Sequence, residues 1–189
     1  MKSPIAVALV HYPIVDRRGD VVNTAVTNLD LHDIARTART YEVDRFYVVT
    51  PVVEQQVLVQ RILGHWLDGH GATYNPHRGD ALSLIRIVAS LDEAIADWRS
   101  FAGASAMPVL TGASRTDGLS MGECRLLLEQ VPLLLVFGTG WGLAPEVFDR
   151  GWTVLEPIRG RGVYNHLPVR AAAAIILDRL LDTSASNPT

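Results

Sequence analysis

Residues 133–143 read LLLVFGTGWGL, an apolar run that stops in three alternating glycines, Gly138, Gly140 and Gly142. A strand that empties into glycines lets a ligand approach the backbone closely, because no Cβ stands in the way. Nucleotide binding is the first chemistry to test. A dinucleotide fingerprint needs G-x-G-x-x-G, then a full helix, then a strand ending in an acid roughly 20 residues on. Leu143 stands where the third glycine belongs, and only APEVFDRG separates it from the next apolar stretch, which Glu156 ends. Two helical turns cannot supply a pyrophosphate-binding helix. No Gly-Lys-Ser/Thr follows, so a Walker phosphate loop fails as well. The glycines point to a cradle of another kind.

Other reactive residue types are sparse. His65, His70 and His77 lie close in sequence, but neither HExxH nor another ligand spacing joins them, so solvated loop positions and no metal are expected. Cys124 is the single cysteine, which excludes an intrachain disulfide and suits a small helical residue in a reducing cytoplasm.

Those residues need elements to position them. IAVALVHY (5–12), RFYVVT (45–50), SLIRIVAS (83–90), AMPVLTG (106–112), PLLLVFG (132–138) and WTVLEP (152–157) have the short, β-branched, apolar character of strands. Between them, Leu31, Ile34, Ala35 and Ala38 fall at helical spacing, and so do Val57, Leu58, Ile62 and Trp66. Ser90 with Glu93, and Ser120 with Glu123, are spaced as capping boxes. Pro168 opens a run of strong helix formers, PVRAAAAIILDRLL. Residues 68–80, DGHGATYNPHRGD, read as a loop. Strands alternating with helices predict an α/β fold with a mainly parallel sheet and helices on both faces, since parallel neighbours need helical crossovers. One domain over 1–182 and a small polar tail over 183–189 are expected.

Nearly half of the 189 residues are hydrophobic, enough for a sizeable core. No stretch approaches the ~20 unbroken apolar residues of a membrane span, and no membrane association is expected. The net charge of −3 argues against indiscriminate nucleic-acid binding while leaving room for a local patch. Lys2 is the only lysine, so nearly all positive charge is arginine, which suits bidentate phosphate contacts.

Four segments taken together resemble the SPOUT class of RNA methyltransferases, the trefoil-knotted α/β proteins. They are NLDLHDIARTARTYEVDRFYVV (28–49), VLTGAS (109–114), LLLVFGTGWGLAPEV (133–147) and LEPIRGRGVYNHLPVRAAAAIILDRL (155–180). The HYP, TNLDLHDIART, FGTGWGL and YNHL motifs are similar to those of a bacterial subgroup that uses S-adenosylmethionine (SAM). The resemblance implies a C-terminal trefoil knot, rare among proteins, whose three loops hold SAM. Leu110, Thr111, Gly138, Thr139, Gly140, Trp141, Gly142, Leu143, Leu155, Pro157, Ile158, Asn165, His166 and Leu167 are the residues it implies for the cofactor. Arg36, in IARTA, corresponds to the family's catalytic arginine. Asn165, in the YNHL turn, corresponds to a residue that binds SAM and helps place the acceptor. The implied activity is methylation of an RNA, a tRNA ribose 2′-hydroxyl, by a homodimer joined through the knot, with Arg36 reaching the partner's site.

The chain departs from the pattern at Pro168, where relatives carry serine, and in the Gly-rich loop, which lacks their glutamate. Methylation of guanine N1 therefore stays open, with Asp30 and Asp33 as available carboxylates. A catalytically silent SAM-binding, RNA-associated module is the other alternative. His11 and His32 are expected to face the cleft, and Trp141 to pack its wall. Arg159 and Arg161 are candidates for phosphate contacts.

Overall fold

The computed structural model describes residues 3–182; the tail expected at 183–189 lies outside the described residues. β1 (Ile5–Val10) is buried along its whole length. Its alternate side chains enter two different cores: Ile5, Val7 and Leu9 on one face of the sheet, Ala6, Ala8 and Val10 on the other. A strand buried on both faces is the signature of an interior parallel strand.

Two short strands follow, β2 (Ile14–Val15) and β3 (Val21–Val22), paired as a hairpin. The Asp16 carboxylate accepts the N–H groups of Arg18 and Asp20 and so shapes the turn. Strands of two residues leave no periodicity to read, and the hairpin is not foreseen above. α1 (Asn28–Thr40) is capped by Thr27, whose hydroxyl accepts from the Asp30 N–H. It buries Leu31, Ile34, Ala35 and Ala38, the positions expected.

β4 (Arg45–Val49) and α2 (Val53–Leu67) come next. The segment read as a loop at 68–80 instead holds two short helices, α3 (His70–Tyr74) and α4 (Pro76–Leu82). Its glycines mislead because they serve packing: a Cβ on Gly71 would stand 2.6 Å from Trp66 Cε3, and one on Gly79 2.8 Å from the Trp66 carbonyl. Asn75 caps α4 through the Arg78 N–H, with Pro76 at the first helical position.

β5 (Ile85–Val88), α5 (Leu91–Ala102), β6 (Met107–Leu110) and α6 (Met121–Leu128) continue the alternation. The Ser120–Glu123 capping box is complete. At Ser90 only half of it forms, because the Glu93 carboxylate accepts from Ala89 N–H instead. β7 (Leu133–Gly138), α7 (Pro145–Phe148), β8 (Thr153–Val154) and α8 (Val169–Leu181) complete the order.

The six-stranded sheet runs β5-β4-β1-β7-β6-β8, with every pairing parallel. α1, α6 and α8 cover one face and α5 and α7 the other. Strand order reverses between β1 and β7, and the carboxyl ends at such a point form the usual ligand crevice of an open α/β sheet.

Past β8 the chain changes faces. Val147 of α7, before β8, belongs to the core under α5, whereas Ala173 and Leu177 of α8, after it, belong to the core on the opposite face. The chain crosses between two arms of one loop. Leu155 N–H donates to Leu110 O at 2.8 Å on one side. On the other, Leu119 N–H donates to Val154 O and Glu156 N–H to Leu119 O, both at 2.8 Å. Gly118 lies directly on this crossing: a Cβ there would stand 2.8 Å from Val154 O and 3.0 Å from Glu156 N. The strand is thus threaded through loop 111–119, the arrangement expected of the C-terminal knot. Arg115 braces that loop, its guanidinium 4.6 Å from the Phe148 ring on α7.

Candidate functional site

Three loops leave the sheet at the carboxyl ends of β6, β7 and β8, and side chains join them. Asn165 Nδ2 donates to Ala113 O at 3.1 Å, tying the third loop to the first. Trp141 and His166 meet edge to face with ring centroids 6.0 Å apart, tying the second to the third. Tyr164 extends the row, 5.4 Å from His166. Leu110 and Leu155 lie buried beneath, and Thr111 continues β6 by donating N–H and hydroxyl to Val136 O. Pro157 and Ile158 are half-buried, and Ile158 packs on the core; Leu167 stands exposed.

The Gly-rich loop is committed to the β2–β3 hairpin to a degree the sequence does not reveal. Thr139 N–H donates to Val10 O, Trp141 N–H to Val15 O, Gly142 N–H to Thr139 O and Ala144 N–H to Pro13 O. Two glycines answer to this folding. A Cβ on Gly138 would meet Leu143 N at 2.6 Å, and Gly140, at φ +56°, would meet Ile14 Cδ1 at 2.9 Å. Gly142 differs: at φ +111° it has nothing within 4 Å of where a Cβ would stand. Open space for a ligand therefore belongs to Gly142, and the tight turn explains the other two.

Trp141, expected to pack the pocket wall, touches His166 across the loops. Pinned through its backbone between two left-handed glycines, it holds its indole 61% exposed.

At the β1–β7 switch point a polar chain crosses the core. Thr139 Oγ1 donates to Val10 O at 3.0 Å. Thr24 Oγ1, 2.5 Å away, must then give its own proton to Thr139 Oγ1. That leaves Thr24 only lone pairs toward His11 Nδ1 at 3.1 Å, so His11 Nδ1 carries the proton. Its Nε2 is a bare, buried acceptor without a partner among the described residues. Burial pushes the His11 pKa down to about 4, against a smaller opposing pull from Asp30. His11 thus lies under the cleft rather than facing it. Thr24, 115 residues from Thr139 in the chain, carries no sequence signal for this role.

α1 brings its amino end to the start of α8. Arg170 Nη1 lies 3.2 Å from Asp30 Oδ1, and its Nε 3.5 Å from Asp33 Oδ2. Asp30 also accepts from the Thr27 hydroxyl at 2.6 Å. Arg170 is another residue that sequence reasoning misses, because its partners lie 140 residues away. Arg36 is exposed on α1, and its side chain makes no hydrogen bond or ion pair among the described residues. His32 turns away from the loops and sits against Trp66, ring centroids 5.5 Å apart. Burial, helped by Arg78, holds its pKa below the ordinary histidine value.

Arg159 and Arg161 are exposed without ion pairs among the described residues. Cys124 is buried and its thiol pushed up to about 11 by that burial, which leaves it unreactive. Among the described residues no group of three or more His, Cys, Asp and Glu could hold a metal, and no helix is long and apolar enough to cross a membrane. Two clefts, of about 350 and about 250 Å³, lie beside Trp66 and between Tyr12, Leu91 and Arg150; neither is lined by the residues expected to hold the cofactor.

A family model described as SAM-dependent RNA methyltransferase matches residues 4–182. Two proteins named tRNA (guanine-N(1)-)-methyltransferase, from Oleidesulfovibrio alaskensis and Nitratidesulfovibrio vulgaris, are 44% and 46% identical over 174 residues. The match covers 92% of this chain but 41% of each of theirs, so the chain spans about two fifths of their length. An uncharacterized protein of Aquifex aeolicus is 40% identical over 181 residues, 93% of this chain and 87% of that one. Among solved structures, the TrmH/SpoU tRNA modifying enzyme of A. aeolicus superposes with TM-score 0.60 at 16% identity, covering 98% of this chain and 77% of that one. The SpoU methyltransferase AviRb of Streptomyces viridochromogenes, crystallised with the cofactor AdoMet, gives 0.57 at 17% identity, covering 100% and 60%. At these identities the structures speak to the fold, which is that of the SPOUT class.

Proposed function

The chain belongs to the family of SAM-dependent RNA methyltransferases, and from that premise we propose that its acceptor is a tRNA, methylated at guanine N1. The name of the two curated relatives supports this acceptor, the alternative left open by the sequence, over the ribose hydroxyl expected first.

SAM supplies a methyl group on a sulfonium centre, and the three loops fit such a donor on one structural ground. Gly142 opens onto empty space beside a backbone that its neighbours hold rigid. Loops 110–111, 138–143, 155–158 and 165–167 would hold it, with Asn165 keeping the third loop on the first. The chain's own task is alignment, which by itself can supply much of a displacement's acceleration.

Guanine N1 carries a proton that must leave as the methyl arrives, so a carboxylate must stand by the acceptor. The observation that carries the reading is the Asp30–Arg170–Asp33 cluster at the start of α1. Asp33, with its side chain 44% exposed, is the accessible acid, and Arg170 orients it. Asp30, 11% exposed and bonded to Thr27, serves as a structural anchor.

A second reading keeps the ribose 2′-hydroxyl, and unpaired Arg36, one turn beyond Asp33, favours it. A guanidinium stays protonated and cannot act as the base. Arg36 would orient the hydroxyl and its neighbouring phosphate, with the proton leaving to phosphate or water. In a homodimer the residue supplied to each site would be Arg36 of the partner subunit.

The test is nucleoside mass spectrometry of tRNA incubated with the protein and SAM. 1-Methylguanosine that disappears with Asp33→Asn supports the first reading. A 2′-O-methylnucleoside lost with Arg36→Ala, at unchanged SAM affinity, supports the second. Absence of any methylated nucleoside from bulk RNA would return the silent-module alternative.

A further inference from the structure

We propose that Trp141, His166 and Tyr164, with Arg159 and Arg161, form a stacking platform for an unpaired nucleotide of the RNA. This surface deepens the RNA reading above and rests on it.

The platform stands on three observations. First, large apolar side chains crowd one rim of the three-loop site in the open: Trp141 is 61% exposed, Tyr164 76% and Val163 fully. Second, the rings are propped rather than covered. Trp141 meets His166 at 66° between planes and His166 meets Tyr164 at 65°, and an edge-to-face contact occupies at most one face of either ring. The backbone beneath is held fast, because Trp141 N–H donates to Val15 O and Val15 N–H to Gly142 O, so the indole is presented from a rigid base.

Third, the charge is right for phosphate. The segment 157–168, PIRGRGVYNHLP, contains no acid in a chain whose net charge is −3. Arg159 and Arg161 make no ion pair among the described residues. At the tip of the hairpin that bonds to the Gly-rich loop, Arg18 engages Asp16 and Asp20 and leaves Arg17 without an ion pair among the described residues.

Open aromatic faces interleaved with unpaired arginines are what single-stranded RNA requires, bases stacking while guanidinium groups meet the backbone. A duplex keeps its base faces inside and cannot cover such rings. The occupant is therefore a splayed-out nucleotide beside the methyl acceptor, its base on Trp141 and its phosphates on Arg159 and Arg161.

The experiment is fluorescence anisotropy with a labelled oligoribonucleotide, single-stranded and annealed as a blunt duplex, beside calorimetry with SAM. The wild type is expected to prefer the single strand. With SAM at saturation, Trp141→Ala should weaken that binding roughly tenfold, the scale of one base stack, while Trp141→Phe keeps most of it. Arg159→Ala with Arg161→Ala should flatten the salt dependence. Unchanged RNA affinity in Trp141→Ala, a loss confined to SAM binding, or equal affinity for duplex would each overturn the platform and leave the function standing. A wild type that binds SAM but neither RNA form overturns the platform and the RNA reading together.

Discussion

Replacing His11 by asparagine should flatten the acid limb of the protein's stability. The substituted side-chain amide can still donate an N–H toward Thr24 Oγ1 from nearly the place of His11 Nδ1, but it cannot titrate. In the folded protein burial holds His11 neutral down to about 4, whereas the ordinary value is 6.5. Between those values the unfolded chain binds a proton that the folded chain refuses, so stability rises with pH. The contribution is fully present above pH 6.5 and is lost as the pH falls toward 4. At about 1.4 kcal/mol per unit, roughly 2.5 units amount to about 3 kcal/mol, a large share of a typical total of about 5–15 kcal/mol. Urea denaturation of both proteins from neutral pH to about pH 4 reads the effect. The wild type should lose about 3 kcal/mol more than His11→Asn over that range. His32, also held below its ordinary value, titrates in both proteins and cancels in the difference. Parallel pH profiles for the two proteins would refute the buried, neutral His11 and the hydrogen-bond direction derived from it.

Three further outcomes are expected. Gly118→Ala places a methyl against the backbone of the threaded segment and should cost about 1–3 kcal/mol, while Gly162→Ala, with open space around it, changes little; chemical denaturation separates the two. Arg170→Met leaves the Asp30 carboxylate largely buried with only the Thr27 hydroxyl, a loss of about 1–3 kcal/mol. Adding Asp30→Asn should recover part of that loss in the same assay. Asn165→Asp removes the donor to Ala113 O, worth about 1 kcal/mol, and should speed tryptic cleavage at Arg159 and Arg161 about fivefold.

Much of the architecture is legible without coordinates. The buried stripe of α1, the capping residues Ser90 and Ser120 and the long apolar strands all follow from local periodicity and local hydrogen bonding. The convergence of loops 111–119, 139–144 and 155–168 is legible only through the order of the motifs, since no local rule brings Asn165 to Ala113. The hairpin at 14–22 is too short to show a pattern, and it is this hairpin that fixes Trp141 and Gly142, Val15 O accepting from Trp141 N–H and Val15 N–H donating to Gly142 O. α3 and α4 are hidden for the opposite reason: their glycines serve close approach to Trp66, and glycine in a polar stretch reads as a turn.

The sequence by itself determined the long strands, the main helices, the buried stripe of α1, and that three glycines end a core strand. Those properties depend on neighbours within a turn or two, where side-chain spacing and backbone preference act directly. Tertiary structure alone decided that Gly138 and Gly140 serve the fold while Gly142 opens outward, and that Trp141 stands in solvent. It also decided that His11 carries its proton on Nδ1. Each of these depends on partners from distant parts of the chain, such as Thr24 with Thr139, and such pairs acquire their hydrogen bonds only once the sheet has set β1 beside β7.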